Sequence, residues 1–263
     1  MRATTEDGTE AQAEDEGAGT PILVLHGGMG DRTVWRPVTD LLRDRFRTVR
    51  LERRQYRMDL PGASTMTQEV EHVAAIAAQL DRPVLVGHSS GAVLALEALV
   101  ASPGAYAGAV LYEPPLVIGA PLSDDKLAAA REALARDKPG TALSIFLRDV
   151  VRMPAPLARL AGFMVGRNPE YRGRVVRQLD DNDAIDALGV RLAAYARLDL
   201  PILLIGGDKS PRHLAERLDA LERTLPHTRR LLMHGQGHSA QRSAPDRLAK
   251  AIATFINDEV AAR

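Results

Sequence analysis

The chain has 263 residues, enough for one large α/β domain with room for an inserted subdomain. Its 34 basic and 34 acidic residues cancel, which argues against a nucleic-acid footprint or an anionic-membrane binder. There is no cysteine, so disulfides, thiolate catalysis and cysteine metal sites are excluded, and no apolar run approaches the roughly 18 residues that span a bilayer. The first 20 residues are acidic and rich in small side chains, unlike a signal peptide, and a cytoplasmic location is expected.

Asp7-Gly8-Thr9 reads as a hairpin turn, but its flanks are polar: either two poor edge strands form or the segment is frayed. Pro21-Ile22-Leu23-Val24-Leu25 is a continuous apolar run, as in a strand buried on both faces of a parallel sheet. It ends in His26-Gly27-Gly28-Met29-Gly30. Val34, Val38, Leu41, Leu42 and Phe46 follow at helical spacing. A strand is expected over 47–51 and a long polar loop over 52–65. Helical spacing returns with Val70, Val73, Ala74, Ala77 and Leu80. Pro83-Val84-Leu85-Val86 is the next strand, the segment from Ala92 a helix, and Gly108-Ala109-Val110-Leu111-Tyr112 another strand. Such alternation implies a parallel sheet with right-handed crossovers.

From Pro115 to Asp199 no strand-like run occurs. Five amphipathic helices are expected instead, over 124–136, 141–152, 156–165, 169–179 and 183–198, with Asn168-Pro169 starting the fourth. The strand pattern resumes at Pro201-Ile202-Leu203-Leu204-Ile205-Gly206. A helix capped by Ser210-Pro211, a strand over 229–233 and a helix over 245–260 complete the chain.

The chemistry gathers at Gly87-His88-Ser89-Ser90-Gly91, between a strand and a helix. A serine at a sharp strand–helix turn is lifted to where a base can reach it, and the crowded turn needs small residues two places to either side. Leu25-His26-Gly27-Gly28, Gly87-His88-Ser89-Ser90-Gly91 and Gly235-Gln236-Gly237-His238, in that order, resemble the α/β-hydrolase fold. The resemblance covers roughly residues 20 to 260. It implies a mostly parallel twisted sheet with helices on both faces, formed by 1–114 and 200–263, and a helical lid inserted over 115–199. It also implies Ser89 as nucleophile and His238 as base, with an oxyanion hole from the backbone of Ser90 and Gly28, Met29 being a near second to Gly28.

The other histidines fit the base less well. His72 falls in a helix, His213 and His227 flank one, His88 should point away from the nucleophile, and His26 buttresses the oxyanion loop. His234 and His238 are four apart, but glycines separate them and no ligand completes a metal site. The acid has two candidates. Asp208, in Gly206-Gly207-Asp208-Lys209-Ser210-Pro211, is near the family's usual position but out of phase, whereas Glu113 directly follows the strand before the lid, where certain lactone hydrolases and dehalogenases of this fold carry theirs. Glu113 is favoured and Asp208 is the alternative. Where the fold often has a glycine-rich run, Leu51 to Asp59 carries Arg53, Arg54 and Arg57, with Arg50 just before. A solvated basic loop is expected there, with a carboxylate- or phosphate-recognising rim as the alternative.

A serine nucleophile disfavours dehalogenase and epoxide-hydrolase chemistry, which on this fold use aspartate. The expected activity is hydrolysis of a small-molecule carboxylic ester or lactone through an acyl-enzyme, with no cofactor and no metal. The competing expectations are a lyase, cyclase or C–C bond hydrolase on the same scaffold, or a non-catalytic small-molecule binding protein.

Overall fold

The computed structural model describes residues 1–123 and 125–261. Eight strands form one sheet: β1 (Arg2–Thr4), β2 (Glu10–Glu16), β3 (Pro21–Leu25), β4 (Arg47–Glu52), β5 (Val84–His88), β6 (Gly108–Tyr112), β7 (Ile202–Gly207) and β8 (Thr228–Met233). Their order is β1-β2-β4-β3-β5-β6-β7-β8, with β1 and β2 antiparallel and the remainder parallel. Successive residues of the apolar runs feed opposite faces, because side chains alternate along a strand. Leu23, Leu25 and Leu85 join one core, and Ile22, Val24, Val84 and Val86 join the other.

The helices are α1 (Arg36–Thr39), α2 (Met66–Ala77), α3 (Ser90–Ala101), α4 (Lys126–Ala135), α5 (Pro139–Asp149), α6 (Ala155–Arg167), α7 (Pro169–Leu188), α8 (Leu192–Tyr195), α9 (Arg212–Thr224), α10 (Ala240–Ser243) and α11 (Pro245–Phe255), the last running into a π-helical turn at Ile256–Val260. α2 and α3 cover the first core and α11 the second. Among the described residues no helix is long and apolar enough to cross a membrane. α4 to α8 lie between β6 and β7, and α4, α5 and α7 share a separate apolar cluster built on Leu127, Leu143, Phe146, Val175 and Leu179. The expected start of the first of these helices, at Asp124, lies outside the described residues, as do positions 262 and 263 of the expected core.

The polar N-terminus forms strands because its charges find cross-strand partners. Glu14 stands opposite Arg50 in the β2–β4 register and accepts from its Nη2 at 2.6 Å, and Asp15 takes Arg47 at 2.7 Å. Three expectations need correction. The helices expected over 169–179 and 183–198 are joined: α7 runs unbroken through Asp180, Asp181 and Asn182, and only the four-residue α8 follows Gly189. A run of polar residues resembled a break, but Asp181 is buried against Arg53.

The basic loop is not solvated. Arg50, Arg53 and Arg57 are buried and paired with Glu14 and Glu16, with Glu69 and Asp181, and with Asp59, while Arg54 meets Asp7 at 2.9 Å. Buried guanidinium groups require such partners, and these are scattered along the sequence. Finally, Ser210 does not cap a helix: Pro211 precedes α9, and the Ser210 hydroxyl is buried without a hydrogen-bond partner.

Candidate active site

β5 ends at His88 and α3 begins at Ser90, so the chain reverses within one residue. Ser89 takes φ +54° and ψ −127°, a region that costs a non-glycine residue about 1–3 kcal/mol. Backbone bonds hold it there: its N–H donates to Tyr112 O at 2.9 Å and its carbonyl accepts from Ala92 N at 2.8 Å. The flanking glycines are required by contact. A Cβ on Gly87 would lie 2.5 Å from Ala92 Cα, and one on Gly91 would lie 2.3 Å from Leu25 O.

Glu113 follows β6 directly and also has a positive φ, +48°. The chain turns there while Glu113 N–H still donates to Ile205 O, and the side chain is carried beneath the loop after β8. The carboxylate is 1 % exposed. Its Oε1 accepts the Gly207 N–H at 2.7 Å, and its Oε2 meets His238 Nδ1 at 2.6 Å. A carboxylate can only accept, so Nδ1 carries the hydrogen and Nε2 is left as the basic nitrogen of the neutral ring.

The loop that carries His238 is fixed from the sheet. His88 Nε2 donates to His238 O at 2.8 Å. Tyr112 donates its hydroxyl to Gly237 O and accepts the Ala240 N–H at 3.1 Å. Burial, with His238 nearby, pushes His88 well below the ordinary histidine range, so the ring stays neutral and its donor role is stable. His88, expected to point away from the nucleophile, engages the His238 loop. Tyr112 was overlooked, although a tyrosine at the end of a buried strand needs a partner for its hydroxyl.

Asp208 faces a different histidine. Its carboxylate accepts from Gly235 N–H at 2.7 Å and meets His234 Nδ1 at 3.2 Å, on the surface. Of the two candidate acids, Glu113 is therefore the one in contact with His238. Among the described residues no group of three histidine, aspartate or glutamate side chains is arranged to hold a metal ion.

Ser89 and His238 open into one cavity of about 620 Å³, together with Gly28, Met29 and Ser90. His26 stabilises the Gly27–Gly30 turn by bonding Gly27 O through Nδ1 at 2.9 Å and accepting the Arg53 N–H through Nε2 at 3.3 Å. Burial pulls the His26 pKa down to about 3, so this ring too is neutral. Behind the turn lies a buried polar network centred on Arg53. Its guanidinium donates to Ser90 Oγ at 2.7 Å, to Glu69 at 2.9 Å and to Asp181 at 2.8 Å, and Tyr56 donates to Asp181 at 2.8 Å. The network ties α7 to the residue after Ser89. Only the density of arginine in this stretch signalled it, because the partners lie 16, 37 and 128 positions away. The far wall of the cavity comes from α5 and α7, through Leu143, Phe146, Leu147, Gln178, Asn182 and Ile185.

A strained serine at a strand–helix turn, on a parallel sheet with an acid–histidine pair over its carboxyl edge, defines an α/β-hydrolase architecture. The alpha/beta hydrolase family model matches residues 22–251, and the chain belongs to that family. It is 26% identical over 253 residues to the pimeloyl-[acyl-carrier protein] methyl ester esterase of Xanthomonas campestris pv. campestris, covering 91% of this chain and 96% of that protein. An alpha/beta hydrolase from Sphaerobacter thermophilus superposes with a TM-score of 0.82 at 24% identity, over 97% of this chain and 100% of the other. A thermophilic esterase from Thermogutta terrifontis gives 0.76 at 23% identity, over 98% and 97%. At these identities the two structures speak for the fold.

Proposed function

We propose that this protein is a serine hydrolase that cleaves a small-molecule carboxylic ester or lactone through an acyl-enzyme. The observation that carries the reading is the 2.6 Å Glu113–His238 contact, which leaves His238 Nε2 as a base on the wall of the cavity that also exposes Ser89. The match to a methyl ester esterase over nearly its whole length supports the ester class.

In this reading His238 Nε2 takes the Ser89 proton as Oγ attacks the carbonyl carbon. The carbonyl oxygen becomes an oxyanion, held by the N–H groups of Ser90 and Gly28, with Met29 N–H the second choice for the latter. Collapse breaks the acyl–oxygen bond, and His238 returns its proton to the departing alcohol. Water then gives its proton to His238 and its oxygen to the acyl carbon, which frees the acid and restores Ser89. Glu113 holds the imidazole in the required tautomer and stabilises its transient charge. Residues 115–199 act as the lid, with α5 and α7 as its substrate-facing wall. No cofactor or metal takes part in this cycle.

The test is turnover of p-nitrophenyl acetate and butyrate by the native protein and by Ser89→Ala. The native protein should turn over both, and the variant should lose at least about 1000-fold. Inertness of the native protein across acyl esters, with saturable small-molecule binding, would overturn the reading in favour of a receptor.

A further inference from the structure

The 620 Å³ cavity has an electrostatic feature that ester hydrolysis alone does not require. The whole chain carries no net charge, yet Arg152, Lys209, Arg217 and Arg242 all line this cavity and no aspartate or glutamate does. Among the described residues none of these four cations forms an ion pair, in contrast to the buried Arg50, Arg53 and Arg57, each of which has a carboxylate.

Arg217 is the deepest of the four, at 8 % exposure, on α9. Its Nε donates to Leu116 O at 2.8 Å and its Nη1 to His213 O at 2.8 Å. A guanidinium has five N–H donors, so most of the fork is left unused. A buried cation held only by two carbonyls is costly unless an anion arrives to complete it. His213, one turn earlier, is also buried, lines the same cavity, and has an Nδ1 with no hydrogen-bond partner. Burial, together with Arg217 and Arg152, lowers the His213 pKa to about 4, so the ring is neutral and carries one N–H that can donate. His213 and His238 line the same cavity. Arg152 lines this cavity as well and forms no ion pair among the described residues. The nearby carboxylates are engaged elsewhere: Glu216 with Arg212 at 3.1 Å, and Asp186 with the Leu122 N–H at 2.6 Å.

We propose that Arg217, with His213 and Arg152 beside it, forms a carboxylate-binding subsite, so that the preferred substrate is an ester or lactone bearing a second, free carboxylate. The inference rests on the hydrolase reading for its substrate and on the cavity alone for its ligand. The unused N–H groups of one planar fork plus one imidazole match the two oxygens of a carboxylate. Lys209 and Arg242, exposed at the cavity mouth, add attraction at a distance for an anionic ester.

The experiment compares kcat/KM for monomethyl glutarate with that for its neutral counterpart, methyl pentanoate. A hydrogen-bonded charge contact predicts a preference for the anionic ester of about 10- to 100-fold. Arg217→Gln should bring the ratio close to one. Arg152→Glu, at an exposed position, should lower it about tenfold by placing a negative charge at the subsite, with circular dichroism to verify folding. Glutarate should act as a competitive inhibitor, weakened in both variants. A native ratio of one or less, with both esters turned over, overturns the subsite and leaves the hydrolase reading standing. If p-nitrophenyl acetate and both methyl esters are inert, the hydrolase reading fails, and calorimetric binding of glutarate decides the subsite: binding lost in Arg217→Gln supports it, and no binding to the native protein overturns it.

Discussion

Replacing Glu113 by glutamine tests the proposed acid with almost no change of shape. The structure fixes how the new amide would sit. Oε1 now accepts the Gly207 N–H at 2.7 Å, and that N–H has to keep an acceptor in this buried place, so the amide oxygen stays there and the NH₂ group turns toward His238. An NH₂ group can only donate, so His238 must offer a lone pair at Nδ1 and carry its hydrogen on Nε2. The nitrogen facing the cavity then cannot take the Ser89 proton. Loss of the right tautomer in a serine–histidine–acid set costs about 10⁴ in kcat in the serine-protease template, and a fall of about 10³ to 10⁴ is expected here. The assay is steady-state hydrolysis of p-nitrophenyl butyrate by Glu113→Gln and Asp208→Asn, with circular dichroism to verify folding. Asp208 touches His234 and the Gly235 amide at the surface, so its variant should retain activity to within about threefold, which is under 1 kcal/mol of barrier. A loss below tenfold in Glu113→Gln, or a larger loss in Asp208→Asn, would refute the assignment.

Three further outcomes are expected. Arg53→Leu strands Glu69 and Asp181, both nearly solvent-free, and should destabilise the fold by about 3–5 kcal/mol in urea unfolding; a cost below about 1 kcal/mol contradicts the network. His26 and His88 are buried and neutral, so the unfolded chain binds more protons than the folded one below the ordinary histidine pKa of 6.5, and stability must fall with pH from there toward the His26 value of about 3. Each contributes a slope of up to about 1.4 kcal/mol per pH unit in that window, and equal unfolding midpoints at pH 7 and pH 5 would contradict it. Exchanging 115–199 for another helical insertion should alter ester preference while p-nitrophenyl acetate is still cleaved, provided the Asp181 and Gln178 contacts are retained. A folded chimera inert toward that minimal ester would mean that the insertion does more than cover the site.

How much of this could be read from the sequence depends on how local each cause is. The apolar runs of β3, β5 and β6 and the glycines around Ser89 state their own structure, since burial on both faces and a sharp turn are satisfied within a few residues. Glu113 was legible as a candidate because it directly follows a strand, but only the fold divides its two oxygens between Gly207 and His238. The arginines at the end of β4 and after it resembled a solvated loop, because a cation is buried only where partners from Glu14, Glu69 and Asp181 converge, and that convergence is a property of the fold. For the same reason the acidic stretch in α7 resembled a helix break. The cluster at Arg152, His213 and Arg217 was equally hidden: two separate elements supply it, and nothing in the local pattern of either marks it out.

The central claim is that Ser89 is a hydroxyl activated by His238, and covalent labelling measures this most directly. Incubation with a fluorophosphonate and peptide mass spectrometry should find one adduct per chain, on the peptide containing Ser89, with labelling slowed at least about 100-fold in a His238→Ala variant. Ester turnover that persists while Ser89 stays unlabelled, or an inactivating adduct on another residue, would contradict it.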